Sequence, residues 1–124
     1  MDSIFTDNEK LYRAVWPESY AEMYWGRDGK ISSAAFMDKE GLSVERGDFR
    51  EDKTVIEEMQ KFFRGCIISL TVEMCKNVNA VIKYKPTKRS MYHSEIHGNE
   101  DKPLLSSSQR KKLASVAKIE YYEK

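Results

Sequence analysis

The hydrophobic pattern of this chain changes its period at Gly65, from the spacing of a helix to the spacing of a strand. After the glycine, apolar and polar residues alternate from Cys66 to Met74, which predicts a strand. Gly65 suits the left-handed residue that commonly ends a helix. A helix that leads directly into a strand predicts the α+β class. The helical stripe before the glycine consists of Val55, Ile56, Met59, Phe62 and Phe63.

Two principal helices are predicted, over about residues 54–64 and 106–118. Each begins with the pattern of a capping box, Thr54 with Glu57 and Ser106 with Gln109. Three segments leave alternatives open: residues 20–25 as a short helix or a loop, 71–77 as strand or helix, and 119–122 as a strand or a frayed helix end.

The other periodic segments predict a mostly antiparallel or mixed sheet. Residues 27–30 form a turn, because glycine at position 29 tolerates a positive φ. The charged residues 45–53 predict a solvated loop, and so do residues 99–103. The predicted strands are Leu11–Trp16, Ala34–Met37, Leu42–Val44, Asn79–Tyr84 and Tyr92–Gly98.

The length of 124 residues fits one domain, so we expect residues 1–124 to fold as a unit. No apolar stretch approaches the ~20 residues that span a bilayer, and the N-terminus has no secretory pattern. Cys66 and Cys75 form no CxxC motif and are expected to stay reduced. The sequence therefore predicts a soluble, cytoplasmic domain with no membrane segment.

The charges are distributed unevenly along the chain. Residues 1–60 contain 8 basic and 14 acidic residues, a net of −6, whereas residues 61–124 contain 13 and 6, a net of +7. This split is typical of an anion-binding half or of two halves that attract each other within one fold, and we favour the second. The overall charge of +1 argues against strong binding of duplex nucleic acid.

The first candidate site contains both histidines of the protein. On a strand, His93, Glu95 and His97 point to one face, where imidazole and carboxylate can act as base and acid. We take His93 and Glu95 as the candidate catalytic pair. Neighbours on one face of a strand lie about 7 Å apart, which is awkward for a single metal ion, so no metal site is predicted. The alternative is a polar sheet face whose histidines only form hydrogen bonds.

The second candidate is an anion site at the start of the last helix, and Arg13 is a third, separate candidate. Free amides at a helix N-terminus attract phosphate, and cations beside it strengthen the attraction. A capped, solvated helix with a basic face is the plainer interpretation. Arg13 lies inside the first strand and can hold an anion or pair with an acidic residue. The anion-site residues on the helix are Ser106, Ser107, Ser108, Arg110 and Lys111.

Six segments of the chain follow one another in a characteristic order: Leu11–Val15, Ile31–Phe36, Leu42–Val44, Gly65–Asn77, His93–Gly98 and Leu113–Ala117. Together they resemble a family of short, functionally uncharacterised bacterial proteins, whose histidine matches His93. The resemblance implies a fold and a bacterial setting, but no reaction. An arginine in the first strand, Arg13, and a late glutamate, Glu95, give a weaker resemblance to ADP-ribosyltransferase-type folds.

The absence of a nucleophile motif and the aromatic, charge-split sequence favour a small interaction or accessory module that binds a partner protein. The alternative is an enzyme that handles a nucleotide or phosphoester with His93 or Glu95, and with Arg13 or Arg110 on the anion. That alternative requires the two halves of the chain to bring these residues into one pocket. The sequence indicates no cofactor.

Overall fold

Gly65 has a φ of +100° and leads straight into a strand, as predicted, but the helix before it ends at Met59 and not at this glycine. The computed structural model describes residues 4–123. Short 3-10 turns lie at Glu22–Tyr24 and Ser33–Phe36. The strands and helices are β1 Lys10–Val15, β2 Leu42–Arg46, α1 Asp52–Met59, β3 Cys66–Thr71, α2 Val72–Asn77, β4 Val81–Tyr84, β5 His93–His97, α3 Ser107–Val116 and β6 Lys118–Tyr121.

Within the described residues, the strands form one antiparallel sheet in the order β4-β5-β2-β1-β3-β6. Together with the helices, this sheet confirms the predicted α+β class. The longest ladder joins β1 and β3, with Lys10 opposite Thr71 and Val15 opposite Cys66. By contrast, β1 and β2 are paired only at Leu11 and Tyr12. The two strands therefore separate beyond Tyr12.

The two faces of the sheet are covered unequally. The first face carries the main core, which α3 and the 3-10 turns complete with buried side chains such as Leu113 and Phe36. The second face has a smaller core of Tyr12, Val55, Met59 and Ile67, where α1 packs on β1 and β3. Towards β2, β5 and β4, this second face is polar. Its side chains there, by the alternation of strand residues, are Ser43, Glu45, Lys83, His93, Glu95 and His97.

The bounds of the first helix differ from the predicted residues 54–64. Helix α1 spans Asp52–Met59, and the capping box predicted at Thr54 does not form. Asp52 explains the earlier start, because its carboxylate accepts hydrogen bonds from Lys10 Nζ and from the Tyr12 hydroxyl. These contacts fix the first turn of the helix on β1. The helix also ends earlier, and turns carry the chain from Met59 to Gly65.

Two further predictions were wrong. Residues 45–53 are not a solvated loop throughout, because Glu45 and Arg46 complete β2 and Arg46 is only 1% exposed. The segment predicted as a strand over 34–37 instead lies in the 3-10 turn Ser33–Phe36 and the residue after it. Its amides bond locally, Ala35 to the carbonyl of Ser32 and Met37 to the carbonyl of Ala34, rather than to a neighbouring strand.

The last helix agrees with its prediction. Ser106 Oγ accepts a hydrogen bond from the amide of Gln109, and the Gln109 side chain accepts one from the amide of Ser106. The helix ends at Val116, near the predicted boundary of 118, and the open alternative for residues 119–122 is resolved as part of strand β6. The open segment 71–77 is helix α2, which Thr71 caps.

Candidate functional site

The predicted pair His93 and Glu95 lies on the polar second face of the sheet, but its members take different partners. His93 Nδ1 donates to the carbonyl of Lys85 at 2.9 Å. Glu95 Oε1 lies 2.8 Å from His97 Nε2 and 3.4 Å from Lys85 Nζ. Burial acts to raise the pKa of Glu95, and the hydrogen bonds from His97 and Lys85 hold the pKa below its ordinary value. Glu95 is therefore a paired carboxylate and not a poised general acid.

Gly41 packs directly over the pair of Glu95 and His97. A Cβ at this glycine would lie 2.6 Å from His97 Nε2, and φ is +109° there. The imidazole of His97 is buried, and its carboxylate partner is largely covered. Within residues 4–123, no group of three or more His, Cys, Asp or Glu side chains is arranged to hold a metal ion.

Arg13 points to the first face of the sheet, away from His93. Its Nε donates to the carbonyl of Ala35, and Nη1 donates to the carbonyl of Ser43, both at 3.0 Å. Burial lowers the pKa of this guanidinium below its ordinary value. The side chain bridges β1 and β2 where their ladder has ended. Arg13 is thus bonded to the main chain of β2 and of the 3-10 turn Ser33–Phe36.

The predicted anion site at α3 lies on the same covered side of the sheet. Arg110 Nη1 donates to the carbonyl of Leu105 at 2.5 Å, whereas Lys111 and the hydroxyl-bearing Ser107 and Ser108 are exposed. The hollow in front of the helix is wide, about 890 Å³. The sheet separates this helix from His93 and Glu95. Arg13 and His93 both line a small cavity of about 90 Å³ where β1 and β2 separate, but Glu95 and the predicted anion-site residues of α3 do not.

Both cysteines are free and buried. Burial raises the pKa of Cys75 to about 12 and also raises the pKa of Cys66. A nucleophilic cysteine needs a lowered pKa and access to solvent. These two thiols therefore have the properties of core residues.

A groove that the sequence did not indicate lies between the end of α1 and the loop 87–92. We call it the aromatic groove; its volume is about 470 Å³. Its floor contains Met59 and Phe63, while Phe62 and Met91 are 55% and 53% exposed. The remaining lining residues are Glu45, Arg50, Glu58, Lys61, Thr87, Lys88, Arg89, Ser90 and Tyr92.

The loop that forms one wall of the groove is held in place by hydrogen bonds. Ser90 is central: its Oγ donates to Glu45 at 2.5 Å, and the amide of Tyr92 donates to the same Oγ at 3.1 Å. Thr87 closes the loop, because its amide donates to the carbonyl of Ser90. Arg50 supports the other end of this loop, where its guanidinium carbon lies 3.4 Å from the centre of the Tyr92 ring. The groove is therefore a preformed feature.

The charges around the groove are not balanced. Its two acidic residues are engaged, Glu45 by Ser90 and Glu58 by Arg50 Nη1 at 2.5 Å. Lys61, Lys88 and Arg89 form no ion pair within residues 4–123. Arg89 instead lies over the rings of Phe63 and Phe62, 5.1 and 5.8 Å from their centres. The groove thus combines exposed apolar groups with unpaired positive charge.

The sequence contained one signal for this groove, the basic residues that accompany Phe62 and Phe63. The helical pattern placed both aromatic residues in the core stripe of α1. Because the helix ends at Met59, Phe62 leaves that stripe and becomes exposed. A basic pair, Lys88 and Arg89, follows shortly after Pro86 but is too common a pattern to mark a site by itself.

Next to the groove, the turn Gly47–Arg50 presents an exposed aromatic ring; we call it the Phe49 turn. Asp48 and Phe49 both have positive φ, 48° and 64°, and Phe49 is 80% exposed. Bulky residues rarely adopt this conformation, which costs about 1–2 kcal/mol per residue. Hydrogen bonds hold the turn: the amide of Asp48 donates to Glu9, and Arg50 donates to the carbonyls of Arg46 and Gly47. Backbone strain held in this way is a feature of functional sites.

We expect the Phe49→Gly variant to be more stable than Phe49→Ala by about 1 kcal/mol. Alanine keeps the backbone strain of a left-handed residue, whereas glycine removes it. Both variants lack the exposed phenyl ring, so its loss affects them equally. At an ordinary loop position, alanine is instead the more stable residue. Urea denaturation of both variants measures the difference. An alanine variant at least as stable as the glycine variant would contradict a positive φ at this residue.

No protein-family model, curated protein or solved structure matches this chain. The predicted resemblance to a bacterial family therefore stays a prediction. None of the helices in residues 4–123 is long and apolar enough to cross a membrane.

Proposed function

We propose that this chain is an interaction module that binds an acidic, apolar segment of a partner protein in the aromatic groove. The observation that carries the proposal is the presence of unpaired cations around exposed apolar side chains in a preformed groove. Aromatic residues and arginine are the groups that contribute most to protein interfaces. Phe62, Met91 and Arg89 provide this combination at one place on the surface.

The positive charge of the groove favours a partner segment with acidic groups. Lys61, Lys88 and Arg89 form no ion pair within the described residues, so acidic groups on a partner would meet cations that are free to pair. Such complementarity raises the rate of association and excludes basic partners. Burial of the exposed side chains of Phe62 and Met91 on binding adds affinity. An acidic segment with apolar anchors satisfies both requirements.

The enzyme alternative receives less support from the arrangement of side chains. It requires His93 or Glu95 to share a pocket with an anion-binding arginine. Arg13 borders a small cavity together with His93, but its guanidinium is already bonded to the carbonyls of Ala35 and Ser43, and Arg110 lies on α3 beyond the sheet. We further propose a cytoplasmic setting, because the buried cysteines are free and suit a reducing compartment.

The test uses a fluorescein-labelled synthetic peptide in which glutamate alternates with leucine and phenylalanine, and fluorescence anisotropy as the measurement. We expect Phe62→Ala and Lys88→Glu each to weaken binding by about tenfold. Added salt should weaken binding to the wild type, because the rim charges are exposed. A peptide with lysine in place of glutamate should bind much more weakly.

Matched substitutions outside the groove serve as controls. Tyr20→Ala removes an aromatic residue that is 78% exposed, and Lys39→Glu reverses a lysine elsewhere; neither should change the affinity. His93→Ala and Glu95→Ala should also leave the affinity unchanged. Equal binding by the Phe62→Ala variant and the wild type would contradict the proposal. Binding of single-stranded DNA that the groove variants abolish would assign the groove to nucleic acid instead.

A further inference from the structure

The Phe49 turn has the side chains expected of a segment that binds the aromatic groove, an apolar ring beside acidic groups. Phe49 is the apolar group, and Asp48 and Glu51 beside it form no ion pair within residues 4–123. Arg50, the cation of the turn, is directed inward to Glu58 and to the carbonyls of Arg46 and Gly47. The turn therefore presents an aromatic ring flanked by acidic groups.

The Phe49 turn cannot fill the groove of its own chain. Phe49 is not among the residues that line the groove, and hydrogen bonds to Glu9, Arg46 and Gly47 hold the turn in its strained conformation. The ring is therefore available to another molecule. A rigid, exposed aromatic side chain makes an effective anchor, since little conformational entropy is lost when it binds.

The turn and the groove lie side by side on the surface. Arg50 belongs to both, because it closes the turn and also lines the groove. A twofold axis near Arg50 would place the Phe49 of each copy at the groove of the other. Such a reciprocal contact closes on itself and gives a dimer rather than a filament.

The charge split of the sequence supports the same pairing. The Phe49 turn belongs to residues 1–60, which have a net charge of −6. The groove cations Lys61, Lys88 and Arg89 belong to residues 61–124, which have a net charge of +7. Contact between the turn of one copy and the groove of the other would place acidic groups against these cations.

We infer that the partner segment is the Phe49 turn of a second copy of this chain, inserted reciprocally to form a twofold-symmetric dimer. The inference rests on the proposed function, because it names the occupant of the same groove. Phe49 enters between Phe62 and Met91, and Asp48 and Glu51 approach the cations of the rim. The dimer then covers the strained turn and the groove together.

Sedimentation velocity over a range of concentrations tests this dimer with the full chain. The wild type should dimerise, whereas Phe49→Ala and the double variant Lys88→Glu/Arg89→Glu should each lose at least about tenfold in dimer affinity. Met23→Ala, which removes another exposed side chain, should dimerise like the wild type. Circular dichroism establishes that each variant is folded. A monomeric wild type at all concentrations would overturn the inference, as would unchanged dimerisation of Phe49→Ala.

A mixture of the two variants provides a sharper test. The Phe49→Ala chain keeps its groove and the Lys88→Glu/Arg89→Glu chain keeps its anchor, so native mass spectrometry should detect a heterodimer that retains one of the two contacts. Absence of this heterodimer would overturn reciprocal insertion. Peptide binding distinguishes the two proposals: Phe49→Ala should still bind the acidic peptide, and if it does so while the wild type stays monomeric, only the dimer is wrong.

Discussion

Replacing Glu9 with alanine should lower the free energy of unfolding by about 3–5 kcal/mol, because it removes the carboxylate that pairs with a buried guanidinium. The guanidinium of Arg46 holds Glu9 in a bidentate pair, with Nε–Oε2 and Nη2–Oε1 distances of 2.8 and 2.9 Å. Both side chains are almost fully buried, 2% and 1% exposed. The amide of Asp48 also donates to Glu9, so the substitution would release the Phe49 turn as well.

Urea denaturation measures this loss, and an exposed ion pair provides the control. Asp7→Ala removes the partner of Lys76, in a pair whose side chains are 58% and 59% exposed, and should cost less than about 1 kcal/mol. The double variant Glu9→Leu/Arg46→Met replaces the buried pair with apolar groups and should recover much of the loss. A loss for Glu9→Ala no larger than that for Asp7→Ala would contradict the buried pair.

Replacing Gly65 with alanine should lower the free energy of unfolding by about 2–4 kcal/mol, through backbone strain and a steric clash. The φ of +100° disfavours any residue with a Cβ atom. A Cβ at this site would also lie 2.6 Å from the carbonyl oxygen of Val15 and 3.0 Å from Pro17 Cδ. Both neighbours belong to the end of β1 and the residues after it, so relief would require the backbone to move.

Gly29→Ala separates the two contributions in the same urea measurement. Gly29 also has a positive φ, 78°, but nothing lies within 4 Å of a Cβ built there. This control should therefore lose only the backbone term, about 1 kcal/mol. Equal losses for the two alanine variants would show that the chain near Val15 can move aside without penalty.

The positive φ of Gly65, the strand after it and the cap at Ser106 were predicted correctly because each depends on neighbours in sequence. The helix before Gly65, however, ends earlier than predicted, at Met59, so this glycine is not the exit of the helix. The capping box of Ser106 and Gln109 needs only residues three apart. Local chemistry of this kind can be interpreted from the sequence directly.

Arg46 shows where local interpretation fails. Its charged surroundings predicted a solvated loop, yet it is buried in β2 against a carboxylate that lies 37 positions earlier in the chain. The same limit applies to Phe62, whose exposure follows from the end of α1 at Met59. The burial of Arg46 and the exposure of Phe62 both depend on contacts between distant segments, which a short stretch of sequence does not reveal.

One part of the predicted site follows from local sequence, and another part depends on contacts between distant segments. Alternation along β5 correctly placed Glu95 and His97 on one face, where they form a hydrogen bond. Arg13 and His93 also line one small cavity, but the Arg13 guanidinium is bonded to main-chain carbonyls, and the sheet separates Arg110 on α3 from the polar face.

The sequence by itself determined the α+β class, the period change at Gly65 and the cap of α3, since these follow from local propensity and spacing. Only the tertiary structure decided which charges are paired. It buried Arg46 against Glu9 and left Lys61, Lys88 and Arg89 unpaired around the aromatic groove. The physical reason is that burial and ion pairing depend on three-dimensional distance, which the order of strands in the sheet sets and the order of residues in the chain does not.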